Sequence, residues 1–267
     1  MMNIPIDWDK PSPGNDELCE KFEKDIYAGQ LPYRLYVPAD YARTDAGGSG
    51  HATPLYPLVI YLHGADAVGS DNEMHLSMHD IGTMFVRDEW QKRHPCFVLA
   101  PQCRRISERT YATVSDLICE LTAQLRRDYP YIDADRIYLY GYSAGAVRTM
   151  RLIKEHPGMF AAAIPICGAT DPLNCEPLLT TPIWMFHAAD DDIVKVSYRT
   201  QPGTDPVYLG SRDIYDLMKG DSVEMRYTEY PAGYMKEHYG VHPHCAWVPV
   251  SQSKEAMEWL FSAHVAH

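Results

Sequence analysis

The segment from Arg136 to Met150 restricts what this chain can fold into more than any other. An apolar run ending at Tyr140 has the make-up of a buried strand, and the residues from Ala144 onward suit a helix. Between them lies Gly141-Tyr142-Ser143-Ala144-Gly145, a G-x-S-x-G sequence. A strand that passes into a helix through so short a link must turn sharply. The positions two before and two after the serine must then be small, because strand and helix approach closely there. Such a turn lifts the serine above the sheet on a strained backbone. The pentapeptide by itself occurs in many glycine-containing turns. Its setting makes Ser143 a candidate nucleophile rather than an ordinary turn serine or helix N-cap.

Strand-like and helix-like runs alternate along the chain. Strands are expected at 33–37, 58–62, 96–100, the run ending at Tyr140, 160–166, 183–187 and 223–230. The run 58–62 is apolar throughout, as a central strand covered on both faces requires. Helices are expected at 113–127, 144–156, 211–218 and 251–262. The first carries Val114, Leu117, Ile118, Leu121 and Leu125 on one stripe, and the last turns Met257, Leu260 and Phe261 inward. This alternation predicts an α/β architecture, a mostly parallel central sheet with helices on both faces in three layers. Asp7, Pro11, Pro13, Gly14 and Asn15 argue against a long opening element, and the glycine-rich stretch 45–54 is expected to be a flexible surface loop. No linker or internal repeat divides the chain, so a single domain over 1–267 is expected.

Composition narrows the partners. The chain is 46% hydrophobic, enough for a sizeable core, and its formal charge is −12, from 24 Lys plus Arg against 36 Asp plus Glu. That sign repels phosphate backbones and anionic lipid, so no nucleic-acid partner is expected. No stretch is long and apolar enough to span a bilayer. The first thirty residues hold no basic start followed by an apolar run, which favours a cytoplasmic location. Seven cysteines are widely spaced with no C-x-x-C, against zinc ribbons and thioredoxin chemistry. Cys103, Cys167, Cys175 and Cys245 follow expected strands and are candidates for a disulfide, or else for buried and loop thiols. No G-x-G-x-x-G or Walker lysine follows a strand, so a nucleotide-binding protein is not expected.

In an open parallel sheet, functional groups gather beyond the carboxyl ends of the strands. Four features here sit at such ends: His63-Gly64-Ala65, Ser143, the run Asp190-Asp191-Asp192, and the histidines before the last helix. A serine hydroxyl needs a base to take its proton, usually a histidine oriented by a carboxylate. The order Ser, Asp, His along the chain suits this sheet. Neighbouring side chains diverge, so only one of the three aspartates can serve; Asp191 is the choice, with Asp192 second. His238, His242 and His244 compete as base. His244 lies nearest the final helix, with Trp247 as an anchor for the loop. His187, at a strand end, reads as structural or exposed. The oxyanion of acyl transfer calls for backbone donors, for which Ala144 N–H at the helix start and Ala65 N–H are the candidates, with His63 fixing the loop. Tyr142 and Trp247 are further candidates for lining the site. Neither a cofactor nor a metal is needed by this chemistry, and none is expected.

These pieces resemble the α/β-hydrolase superfamily, and within it a group of bacterial esterases often labelled predicted peptidases, related to feruloyl esterases and polyhydroxybutyrate depolymerases. The resemblance is carried by Tyr33-Arg34-Leu35-Tyr36-Val37-Pro38, the run 56–64, Gly69-Ser70-Asp71-Asn72, Ala100-Pro101-Gln102-Cys103, the serine pentapeptide, the run 187–194 and His244-Cys245-Ala246-Trp247. It covers most of residues 33–262. It implies an α/β-hydrolase fold and a serine esterase acting on small-molecule or carbohydrate-linked esters, such as feruloyl or acetyl groups. A pattern like H-G-x-x-D-x-x-V-P places the acid on Asp191, and H-x-x-W places the base on His244. Gln102 matches a residue near the oxyanion region. Ala188 stands where the pattern has glycine and Lys195 where it has proline; both lie beside the acid loop and bear on its shape, and neither removes a reacting group. A serine peptidase of the same fold and a non-catalytic binding protein are the alternatives.

Overall fold

The structure, a computed structural model, describes residues 14–41, 54–103, 108–199, 207–220 and 223–265. The expected loop at 45–54 therefore lies outside the described residues except for its last position. Among the described residues, eight strands form one sheet: β1 (Glu23–Tyr27), β2 (Leu31–Tyr36), β3 (Tyr56–Leu62), β4 (Phe97–Pro101), β5 (Ile132–Tyr142), β6 (Ala162–Ile166), β7 (Ile183–Ala188) and β8 (Met225–Tyr230). Their spatial order is β1-β2-β4-β3-β5-β6-β7-β8. Only β2 runs against its neighbours; every pair from β4 across to β8 is parallel.

The helices are α1 (Asp16–Cys19), α2 (Met74–Ser77), α3 (Asp88–Arg93), α4 (Glu108–Asp128), α5 (Ala144–Glu155), α6 (Ser211–Met218), α7 (Tyr234–Tyr239), α8 (Trp247–Gln252) and α9 (Lys254–Ser262). Side chains alternate across a strand, and β3 shows the consequence. Val59 and Tyr61 enter a core with Trp90, Tyr140, Phe186, Trp247 and Leu260, under α3, α8 and α9. Leu58, Ile60 and Leu62 enter a second core with Ile118, Leu121, Met150, Ile153 and Ile214, under α4, α5 and α6. Two cores on opposite faces of one sheet make the three-layer sandwich expected from the alternation of elements.

Three local differences from the sequence reading have physical causes. Strand β1 lies in the segment whose turn-formers suggested no long element; it is a five-residue edge hairpin to β2, with charged residues facing water. Strand β4 carries on through Pro101, which pairs with Tyr33 at its end. The final helix is two: Ser253 breaks it, adopting extended backbone and capping α9 by accepting a hydrogen bond from Ala256 N–H. The seven cysteines are all unpaired thiols, so no disulfide joins Cys103, Cys167, Cys175 or Cys245.

The chain leaves β3 for β4 on one side and returns to β5 on the other. The point where winding reverses falls at the carboxyl ends of β3 and β5, where a crevice is expected in such sheets. Register brings Leu62 opposite Gly141, so the loop after β3 and the turn after β5 emerge side by side.

Candidate active site

Ser143 sits between β5 and α5 with φ 53° and ψ −120°, the strained conformation that the sharp turn requires. The glycines that bracket it have no room for a side chain. A Cβ at Gly145 would lie 1.9 Å from the Leu62 carbonyl oxygen, and one at Gly141 would lie 2.7 Å from the Gly145 oxygen. The serine is the N-cap of α5 by position, yet its side chain makes no capping bond. It is 2.9 Å from His244 Nε2 instead. This removes the N-cap explanation of the residue.

His244 Nδ1 lies 2.7 Å from Asp191 Oδ2. A carboxylate only accepts, so Nδ1 carries the proton, and Nε2 is left to accept from the Ser143 hydroxyl. Asp191 is held on every side. Its Oδ1 accepts from Ile193 N–H and Val194 N–H, each at 3.0 Å, and its Oδ2 also meets His187 Nε2 at 3.1 Å. Burial pushes its carboxyl up, but the hydrogen bonds from His187 and His244 outweigh that and hold it well below the usual carboxylate range. It stays ionised beside the imidazole.

The three neighbouring aspartates diverge. Asp190 accepts from Gly233 N–H at 2.8 Å, Asp191 holds His244, and Asp192 pairs at the surface with His242 Nε2 at 3.3 Å. His242 in turn accepts the backbone N–H of His244 through Nδ1, which steadies the loop. His238 stacks on Tyr234 and bonds its carbonyl oxygen. The bond of Asp191 with His187 was not legible in the sequence. That imidazole is fully buried, with Nε2 also 2.8 Å from the Val194 carbonyl and Nδ1 2.9 Å from Ser211 Oγ. Both Nε2 partners accept, so Nε2 carries the proton and His187 donates to the same oxygen as His244. Its position four residues before the acid was the only available sign.

The loop after β3 is fixed by two buried side chains. His63 donates from Nδ1 to the Gly64 oxygen at 2.7 Å and accepts Cys103 N–H at Nε2, 2.9 Å away. Burial, then the nearby Arg148 charge, lowers its pKa to about 4, so it stays neutral. Gln102 accepts from Asn72 N–H at 2.6 Å and donates to Asp71 at 3.0 Å, stitching the loop that carries Ala65. Ala65 opens a short 3-10 turn and Ala144 the first turn of α5, where helical N–H groups have no acceptor within the helix. Tyr142 and Trp247 are buried; Trp247 stands edge-on to His244, with ring centroids 6.0 Å apart, and packs on Tyr142 at 4.6 Å.

A second carboxylate–imidazole pair lies alongside. Asp66 receives His79 Nε2 and the Tyr142 hydroxyl, each at 2.8 Å, and His79 packs on Trp247. Cys167 completes the neighbourhood, and burial followed by the Asp191 charge pushes its thiol well up, so it is no substitute nucleophile.

The profile of the prolyl oligopeptidase family matches residues 107–207, a stretch that includes Ser143 and Asp191 but not His244. No curated protein sequence matches the chain. Among solved structures, a thermostable esterase is 32% identical with a TM-score of 0.77, over 93% of this chain and 64% of the esterase. A puromycin-hydrolysing peptidase of Mycobacterium tuberculosis is 15% identical with a TM-score of 0.58, over 91% of this chain and 40% of that one. The acylaminoacyl peptidase of Pyrococcus horikoshii is 14% identical with a TM-score of 0.57, over 92% and 42%. The chain thus spans less than two thirds of each of these three proteins, and at such identities the two peptidases share its fold alone. Sheet order, serine elbow and these likenesses together give the chain an α/β-hydrolase fold.

Proposed function

We propose that the chain is a serine carboxylic-ester hydrolase working through an acyl-enzyme, with feruloyl or acetyl groups on carbohydrate as its substrate class. The observation that carries this reading is the hydrogen-bond chain from Ser143 Oγ through His244 to Asp191, on an elbow whose serine has no capping role. As Oγ attacks the ester carbonyl, its proton passes to His244 Nε2. The N–H groups of Ala65 and Ala144 receive the tetrahedral oxyanion, where preorganised donors are worth most. His244 then protonates the departing alkoxide, and water activated by the same nitrogen releases the acid. Asp191 remains ionised throughout, keeping the Nδ1–H tautomer and offsetting the imidazolium charge.

The 32% identity to an esterase supports an ester as substrate, and the motif resemblance supports a carbohydrate-borne acyl group. The second reading, a serine peptidase, is favoured by the prolyl oligopeptidase match. Parallel kinetics on p-nitrophenyl acetate, methyl ferulate and a series of aminoacyl-p-nitroanilides separate the two. The esters are expected to turn over and the anilides to be poor substrates. Faster cleavage of an anilide would overturn the ester reading, and rejection of ferulate and of acetylated xylan would overturn the carbohydrate one.

A further inference from the structure

Acyl transfer leaves Cys167 unused, although it stands among the groups that perform it. Its Sγ, a carboxylate oxygen of Asp191 and a ring nitrogen of His244 all lie within 4.8 Å of one another, and the three residues are buried. The sheet explains the meeting. Ser143 N–H donates to the Ile166 oxygen at 2.9 Å, and Cys167 N–H to the Phe186 oxygen at 2.8 Å. Cys167 therefore follows β6, between the strand that presents the serine and the strand that leads to the acid. Its φ of 45° turns the chain out of the sheet at that point.

We propose that this sulfur, imidazole and carboxylate bind a thiophilic divalent cation, zinc or cadmium, and that the bound ion stops the reaction. Zinc takes thiolate, imidazole and carboxylate ligands, and cadmium shares its affinity for sulfur; magnesium and calcium prefer oxygen alone. On binding, the Cys167 thiol proton leaves to solvent and the sulfur joins the metal, with no change of oxidation state. The charges balance as well. A lone buried carboxylate becomes a carboxylate, a thiolate and a dication, with no net charge to desolvate. Whichever ring nitrogen the ion takes, His244 ceases to be a base. At Nε2 the metal occupies the lone pair that receives the serine proton. At Nδ1 the ring proton moves to Nε2, which can then only donate. Binding follows from the geometry; its inhibitory effect rests on the catalytic reading above.

The test incubates the full chain with cadmium chloride and follows two signals, the ultraviolet thiolate-to-cadmium charge-transfer absorption and hydrolysis of p-nitrophenyl acetate. Wild type is expected to gain the absorption at one equivalent and lose turnover, both reversed by a chelator. Cys167→Ala and the near-isosteric Cys167→Ser should keep their turnover, lack the absorption and need roughly tenfold more cadmium or higher for inhibition. Ser143→Ala, inactive, should still show the absorption, as should Cys245→Ala. If wild type and Ser143→Ala both bind but wild type hydrolyses no ester, the catalytic reading falls and the cation site stands. The site is overturned if either folded Cys167 variant binds or is inhibited like wild type, or if the absorption is lost in Cys245→Ala instead.

Discussion

Two carboxylate–imidazole pairs lie side by side at this edge of the sheet, and on the proposed mechanism their difference separates a reacting group from a brace. Asp191 meets His244 at 2.7 Å and Asp66 meets His79 at 2.8 Å, so distance does not distinguish them. The placement of the hydroxyl does. Ser143 bonds the far nitrogen of its imidazole, giving a line along which a proton can move. Tyr142 gives its hydroxyl hydrogen directly to Asp66, bypassing the imidazole, so both donors converge on one acceptor. Burial raises the Asp66 carboxyl, but the bonds from His79 and Tyr142 outweigh it and keep it ionised. The brace ties the loop bearing Ala65 to the residue before Ser143, while His79 packs on the tryptophan beside His244.

The largest effects should fall on the first pair. Ser143→Ala is expected to lower kcat for ester hydrolysis by at least about 10⁴-fold with little change in melting temperature, measured by steady-state kinetics and calorimetry. Asp191→Asn should cost roughly 10³- to 10⁴-fold in kcat, because an amide can hold the imidazole in the wrong tautomer. If Asp66→Asn proved as damaging to kcat as Asp191→Asn, the distinction between the pairs would be lost.

Neutral buried imidazoles should give the next effect, through acid. His63 is lowered from 6.5 to about 4, and His75, which donates to the Ala100 oxygen, from 6.5 to about 3; burial is the chief cause in both. Below pH 6.5 the unfolded chain takes up protons that the folded chain refuses, so stability present above that pH is lost as it falls toward 4. His63 alone accounts for roughly 3 kcal/mol over that window. Urea titrations at pH 7 and 4.5 measure the loss, and His75→Gln should flatten it.

The brace itself comes last. Asp66→Asn sets an N–H against one of two buried donors and should cost about 2 kcal/mol in stability, with a several-fold fall in kcat and little change in KM as Ala65 N–H shifts. Tyr142→Phe removes one donor and leaves the other, and should cost about 1 kcal/mol.

Much of the fold was legible because period-2 and helical patterns both track burial. The elbow was legible because Gly141 and Gly145 answer to backbone contacts that admit nothing larger. Asp191 and His244 could be chosen from among their neighbours through family patterns and placement before the last helix. The other participants could not be seen, since a buried histidine looks like any other in a linear sequence. His187 donates to the acid only because the turn after β7 folds back on it, and Asp66 finds His79 thirteen residues on with no repeating pattern between them. The break at Ser253 rests on one capping bond to Ala256 N–H, which no periodic pattern announces.

The central claim is that one hydroxyl at the elbow is made reactive by His244. Incubation with a fluorophosphonate, followed by peptide mapping in a mass spectrometer, addresses it directly. A single phosphonyl adduct on Ser143, formed at least about 10²-fold more slowly in His244→Ala, is the expected result. Folded wild-type protein that takes up no label, or takes it up on another residue, would contradict the account.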